Sequence, residues 1–366
     1  MNRRPDAAAI EAFGGELEAL RRETLAQVGQ RDADYIRRTV RRQRYAELLG
    51  RGLLLLGFHP LAWLVGVIML SVSKILNNME IGHNVMHGQY DFMNDPDLQS
   101  QTYNWDSICC PDSWRKTHNY EHHTYTNVLG LDRDFGYGAY RMSEEMEWEP
   151  KHRYQLFYYG LMSLLFQWGV GLHDLEAEHI RSGKITRESK LPVWRAFLQR
   201  MRRHLAKDYV LFPLLGMLTG AGFVMVALGN FVANTVRNVW ASSVIFCGHF
   251  TEDVHTFAEE DCRNETRGQW YYRQTLGSSN FHGGRLMHIM SGHLSLQIEH
   301  HLFPDIPAHR YPELAPRVEE ICRRYGVPYN TGSFLRQFSA SIARLIRFSR
   351  PPRSEDESSA IQSSSS

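Results

Sequence analysis

The sequence predicts an all-α fold: an integral membrane helical domain of about four spans, arranged as two hairpins with a cytoplasmic helical cap. Three observations carry this expectation. Residues 52–73, 154–173 and 209–236 contain no formal charge, and the first of them reads GLLLLGFHPLAWLVGVIMLSVS. About 20 helical residues, rising 1.5 Å each, cross a hydrocarbon core of roughly 30 Å. The apolar runs are flanked by basic segments: seven Arg against three acids in 31–51, and nine Lys and Arg in 174–208. Such flanks belong on the cytoplasmic side. Histidine, at 18 residues, is concentrated in the charged regions beside the runs. Buried core helices of a soluble enzyme are the competing reading. Run length and absence of charge favour spans.

Composition excludes several classes. The 41 Lys and Arg nearly cancel 40 Asp and Glu, so no global attraction to nucleic acid follows. Five Cys, an odd number, do not make a disulfide framework and fit a reducing compartment. The first residues are charged throughout and lack the apolar core of a signal peptide. Ile10, Phe13, Leu17 and Leu20 recur at helical spacing, which predicts an amphipathic helix. Residues 1–44 are therefore a cytoplasmic amphipathic segment, 45–330 the membrane domain, and 331–366 a C-terminal helix with a disordered tail. That tail, RSEDESSAIQSSSS, has almost no apolar content.

Three windows hold the informative histidines: His83-Asn-Val-Met-His87, His118-Asn-Tyr-Glu-His122-His123 and Gln297-Ile-Glu-His300-His301. On a helix, His83 and His87 lie on one face a turn apart, as do His118 and His122. An adjacent pair such as His122 and His123 points two imidazoles in different directions, which suits two nearby metals. Neutral imidazole is the commonest protein metal ligand. Thiolate sites lack a Cys-x-x-Cys pair. A zinc protease would need Glu where Asn84 stands. Seven His exceed one metal's coordination, so the cap is expected to hold a di-metal site, and two redox metals suit oxygen chemistry. Ferritin-like bundles use Glu-x-x-His pairs instead. Glu80/His83, Glu176/His179 and Glu252/His255 match that spacing, but they leave His87 and the adjacent His pairs unexplained.

All three windows must reach one site, so they share one face of the membrane. Three crossings between the second and third windows would separate them. Residues 154–173, with Gln167 and Trp168, are therefore read as an interfacial, non-crossing element. The stretches 209–228 and 231–249 form a hairpin turning near Gly229–Asn230. Residues 45–81 form a tight hairpin turning at His59–Pro60, with a single span and an outside N-terminus as the alternative.

The order HNVMH, HNYEHH, QIEHHLFP resembles the membrane-bound fatty acid desaturases, over roughly residues 45–330. The surrounding words GHNVMHGQY, TYTNVLGLDRDFGYG and SGHLSLQIEHHLFPDIP strengthen the resemblance. It implies His83, His87, His118, His122, His123, His300 and His301 as metal ligands, with His249 at the cytoplasmic end of the last span as an eighth. The family often has His where Gln297 stands, so Gln297 or His293 is implied for one further position. His59, His152, His204 and His309 match no window and are read as loop, interface or surface residues. The implied cofactors are two Fe ions, with O2 as co-substrate and two electrons from an external donor. The implied reaction removes two hydrogens from adjacent carbons of a long-chain acyl group, as acyl-CoA or acyl-lipid, with Δ9 regiochemistry favoured. Arg115 and Lys116 are candidate contacts for an anionic headgroup, or else a solvated cationic face. No His-Pro-Gly-Gly haem motif occurs, so a separate ferredoxin, rubredoxin or flavin reductase is the expected partner. The implied location is a bacterial inner membrane with the site on its cytoplasmic face. The rivals are an acyl hydroxylase on the same scaffold and a non-enzymatic membrane metal-binding protein. Transport would place ionisable residues inside the spans, where only Arg237 lies.

Overall fold

The computed structural model describes residues 5–352. The tail expected after Pro352 lies outside the described residues. The fold is helical as expected, apart from a short parallel pair, Asn280–His282 with Thr331–Ser333, and one isolated bridge, Val128 to Phe257.

Two helical hairpins form the body. The first joins Gln30–Leu54 to Pro60–Ile75, which runs on through a π-helical segment, Leu76–His83, into Asn84–Met86. The chain turns at His59, and Pro60 opens the second helix, where a missing N–H costs nothing. The second hairpin joins Leu191–Ala206, continued by Lys207–Leu211 and Phe212–Leu218, to Phe223–His249. Its turn is at Thr219–Gly222, not at Gly229–Asn230. Gly220 and Gly222 supply the left-handed backbone, at φ +81° and +82°. Gly229 is instead a contact point inside the long helix, where an added Cβ would lie 2.6 Å from Leu54 Cδ2.

Small residues let the first hairpin close. A Cβ on Gly50 would lie 2.7 Å from the Leu70 backbone nitrogen, and one on Gly66 would lie 3.0 Å from that of Leu54. Backbone cannot yield as a side chain can. Gly50→Ala should therefore cost about 1–3 kcal/mol of stability, the range for overpacking. Gly52→Ala, which meets nothing within 4 Å, is the control. Thermal unfolding in detergent reads the difference.

The hairpins are tied together by a buried polar cluster. Asp208, in the π-helical turn of the second hairpin, accepts from Arg51 (3.1 Å), Lys74 (2.8 Å) and Asn234 (3.1 Å). Their outer faces are apolar: Leu48, Leu56, Phe58 and Leu64 on the first, Leu211, Leu214, Met217 and Leu218 on the second, are all exposed. Among the described residues, one helix, Pro60–Met86, is both long and apolar enough to cross a membrane. The others fall short for visible reasons. Gln30–Leu54 is basic over much of its length, Leu191–Leu218 is basic in its first half, and Phe223–His249 carries Asn230, Asn234, Arg237 and Asn238. The stretch 154–173 forms two short helices, Gln155–Leu164 and Phe166–His173, each too short to cross. Gln167 on the second of them faces inward and is buried.

The cap packs on one end of the hairpins. Ala7–Leu25 buries Phe13, Leu17 and Leu20 against Tyr271, Ile298, Leu302 and Tyr311. Its N-terminus is capped by Asp6, which accepts from the Ala9 N–H at 2.8 Å. Helix Gln30–Leu54 runs without a break through residue 44. It is clamped to the cap by Arg310, which donates to both Asp32 oxygens at 2.6 and 2.7 Å. The C-terminal helix Phe334–Ser349 packs on Phe223–His249, where Ser341 Oγ donates to the Phe246 carbonyl at 2.8 Å. All five cysteines are free.

Candidate metal centre

The first two windows lie where helix geometry loosens. The π-helical segment Leu76–His83 ends on the first histidine of window one. Arg115–His122 carries window two, between Pro111–Trp114 and His123–Tyr125. Such widened turns recur at functional sites because they re-aim side chains. The third window is the short helix Gln297–Leu302, and His249 is the last residue of the long helix.

These elements bring eight imidazoles together. Among the described residues, three groups have ring nitrogens within 4.8 Å of one another: His83, His87, His118 and His300; His122, His249 and His301; and His123, His300 and His301. Adjacent residues diverge. The rings of His122 and His123 are 84° apart, as are those of His300 and His301. His300 joins the first and third groups and His301 the second and third.

The nitrogens are polarised. The Nε2 atoms of His83 and His118 face each other at 3.3 Å. Those of His122 and His301 face His249 Nε2 at 3.3 and 3.2 Å. Several Nδ1 atoms point away and are held from behind: His118 by Asp134 (3.1 Å), His122 by Asp132 (2.9 Å), His301 by Gln274 Oε1 (3.1 Å) and His83 by Asn84 Oδ1 (3.1 Å). A carboxylate or amide oxygen accepting the Nδ1 proton leaves the Nε2 lone pair directed inward, the arrangement that supports metal-bound imidazole.

Burial disfavours protonation of most of the rings. Desolvation holds His123, His300 and His301 well below the ordinary histidine value. Burial also pulls on His122, but the Asp132 carboxylate outweighs it and the net shift is upward. His87 Nε2 and both ring nitrogens of His123 and His300 are buried without a hydrogen-bond partner. Unpaired polar atoms are costly. A cation among these lone pairs would satisfy them, so the donor set fits the metal centre implied by the resemblance.

The two further candidates separate. Gln297 is buried with its side-chain nitrogen 2.9 Å from His249 Nε2. Amide N and O are assigned from hydrogen bonding, and turning the amide presents an oxygen to the same point. His293 lies elsewhere: its Nδ1 is 2.9 Å from Glu80, which also accepts from the Tyr35 hydroxyl at 2.5 Å. His152, His204 and His309 are not surface residues. His152 and His204 are buried, and His309, its side chain buried, stacks on Tyr35 at 4.1 Å with Nε2 3.1 Å from Asp32. His59 is exposed. Arg115 is a structural residue, spent on the carbonyls of Ser100 (2.7 Å) and Tyr103 (3.1 Å). Lys116 lies near Glu121 and Glu176. The Glu-x-x-His acids disperse: Glu80 to His293, Glu176 to His179, Glu252 to Arg347.

Sequence reasoning missed Asp132, Asp134 and Gln274. The two aspartates had a signal, an Asp-x-Asp that begins nine residues beyond window two; Gln274 had none.

A cavity opens on the centre. His83, His118, His122 and His249 form part of its wall, and Phe135, Phe166, Val170, Ile245 and Phe250 carry it onward between the helices.

Comparison with known proteins agrees with this architecture. The family model described as fatty acid desaturase matches residues 58–333. The chain is 46% identical over 347 residues to a Mycobacterium tuberculosis protein named NADPH-dependent stearoyl-CoA 9-desaturase, covering 94% of this chain and 81% of that one. It is 27% identical over 292 residues to the sn-1 linoleoyl-lipid 6-desaturase of Synechocystis, covering 78% and 79%. The chain belongs to the fatty acid desaturase family. It is an oxygen-dependent enzyme that acts on fatty acyl chains at a metal centre.

Proposed function

We propose that this protein is a Δ9 desaturase of long-chain acyl-CoA. His83, His87, His118, His122, His123, His249, His300 and His301 hold two irons, and Gln297 completes the second group. The observation that carries the reading is the inward convergence of Nε2 atoms, backed by Asp134, Asp132 and Gln274. The name of the mycobacterial relative supports the substrate and position.

When bound, the irons supply the O2- and electron-dependent oxidation that removes two hydrogens from neighbouring acyl carbons. The chain's own residues do the rest. Asp132 and Asp134 take the Nδ1–H hydrogen bonds and fix the tautomers of His122 and His118. Phe135, Ile245 and Phe250 hold the acyl chain and exclude water, while the histidine wall places one methylene pair beside the centre. Electrons come from a separate NADPH-dependent reductase or ferredoxin-type partner. The two hairpins sit in the membrane with their exposed apolar faces against lipid and their polar groups turned inward on Asp208, and the cap lies on the cytoplasmic face of a bacterial inner membrane.

Asp132→Asn and Asp134→Asn should each lower metal affinity about 10–100-fold, the usual cost of losing a partner that orients a ligand. Metal titration of the purified variants checks this. The function itself is tested by gas chromatography of lipids from cells expressing the chain. A double bond at carbon 9 is expected. A hydroxylated product would overturn desaturation in favour of hydroxylation, and a double bond elsewhere would overturn the position.

A further inference from the structure

Beyond its apolar walls the cavity reaches Gln167, Arg237 and Asn238. They are 7%, 3% and 3% exposed. Gln167 Oε1, Arg237 Nε and Asn238 Oδ1 have no hydrogen-bond partner. Three unpaired polar atoms at the end of an apolar passage are unusual, because buried polar groups are nearly always satisfied by protein or water. Arg237 and Asn238 precede His249 by 12 and 11 residues on one helix, which places them about 17 Å along its axis from the metal centre.

A second cavity lies beyond, with Leu164, Leu205 and Phe231 among its walls. Gln167 and Asn238 line both cavities. They are the partition between the two. Asn238 is fixed there by its Nδ2, which donates to the Leu164 carbonyl at 2.8 Å, at the break between the two short helices. No hydrogen bond ties down the Gln167 side-chain oxygen.

We infer that Gln167, with Arg237 and Asn238, forms a polar floor that stops the methyl end of the acyl chain and sets the longest substrate accepted. This rests on the desaturase reading above. The charged head of the substrate stays at the aqueous cap, so the methyl end is the part that travels toward Arg237. A terminal methyl packed on these groups would strip their hydration and return no hydrogen bond. The side chain of Gln167 also blocks entry to the apolar part of the second cavity.

The test is the chain-length profile of the full protein in membranes, given C16, C18 and C20 acyl-CoA. Gln167→Ala opens the partition and should raise the C20 to C18 product ratio roughly tenfold, the lower end of what pocket fit to a methylene is worth. Gln167→Phe raises the floor and should lower the C18 to C16 ratio by a similar factor. Gln167→Met keeps the volume and should keep the wild-type profile. Ratios within one variant do not depend on how much protein folds. Unchanged ratios in both Ala and Phe variants, or an equal loss at every length, overturn the inference. A wild-type protein that makes no C18 product fails the desaturase reading instead.

Discussion

His301→Ala should leave a folded chain without desaturase activity, and His122→Ala and His249→Ala should do the same. The Nε2 atoms of these three residues sit within 3.3 Å of one another in pairs through His249. Removing one ring takes a donor from a metal and lets the remaining rings and the metal shift together. Residues that act as a unit give all-or-none losses, not shares of the rate. The expected fall is at least about 10³-fold in product formed, comparable to losing a core member of a catalytic constellation. His59→Ala, exposed at the first hairpin's tip, is the control and should retain full activity. Product analysis at matched expression checks this. Near-normal product from His122→Ala and His301→Ala would remove the metal centre from the account.

His293→Ala should have a different and also large effect: lost stability with retained metal. Glu80 is fully buried and is held by His293 at 2.9 Å and by Tyr35 at 2.5 Å. Deleting the imidazole leaves the Glu80 carboxyl with one partner. Breaking a buried pair in this way costs about 3–5 kcal/mol. Thermal unfolding and metal content, measured on the same sample, distinguish the alternatives. A lowered midpoint with full metal is expected. Full stability with lost metal would make His293 a ligand and return Gln297 to a supporting role.

The histidine windows were legible because imidazoles are rare, clustered and chemically committed. The eight that they and His249 imply are the eight that the structure gathers. The turn of the first hairpin was legible too, since Pro60 inside the charge-free run marks a helix start, but the first arm begins at Gln30 and not near residue 45. The second turn was not. Gly229 and Asn230 look like turn residues, but in the structure the missing Cβ of Gly229 makes room for Leu54, and Asn230 Nδ2 donates to the Val226 carbonyl at 3.1 Å. The turn fell to Gly220 and Gly222, whose signal lay inside an apparently continuous apolar run. His309 and His204 were misplaced for a related reason. Nothing local says that a lone histidine will meet Asp32 or Asp106, because those partners are distant in sequence. Gln274, behind His301, is invisible on the same grounds. Gln167 looked like an interfacial polar residue, and only the packing of the two short helices turns it into the cavity.

Eight histidines, with Gln297, are proposed to hold two irons. Metal analysis of the protein purified in detergent tests this most directly. Two irons per chain are expected in the wild type, fewer in His301→Ala and in His87→Ala, and the wild-type content in His59→Ala. Zinc alone, or a single metal per chain bound equally well by all four proteins, would contradict it.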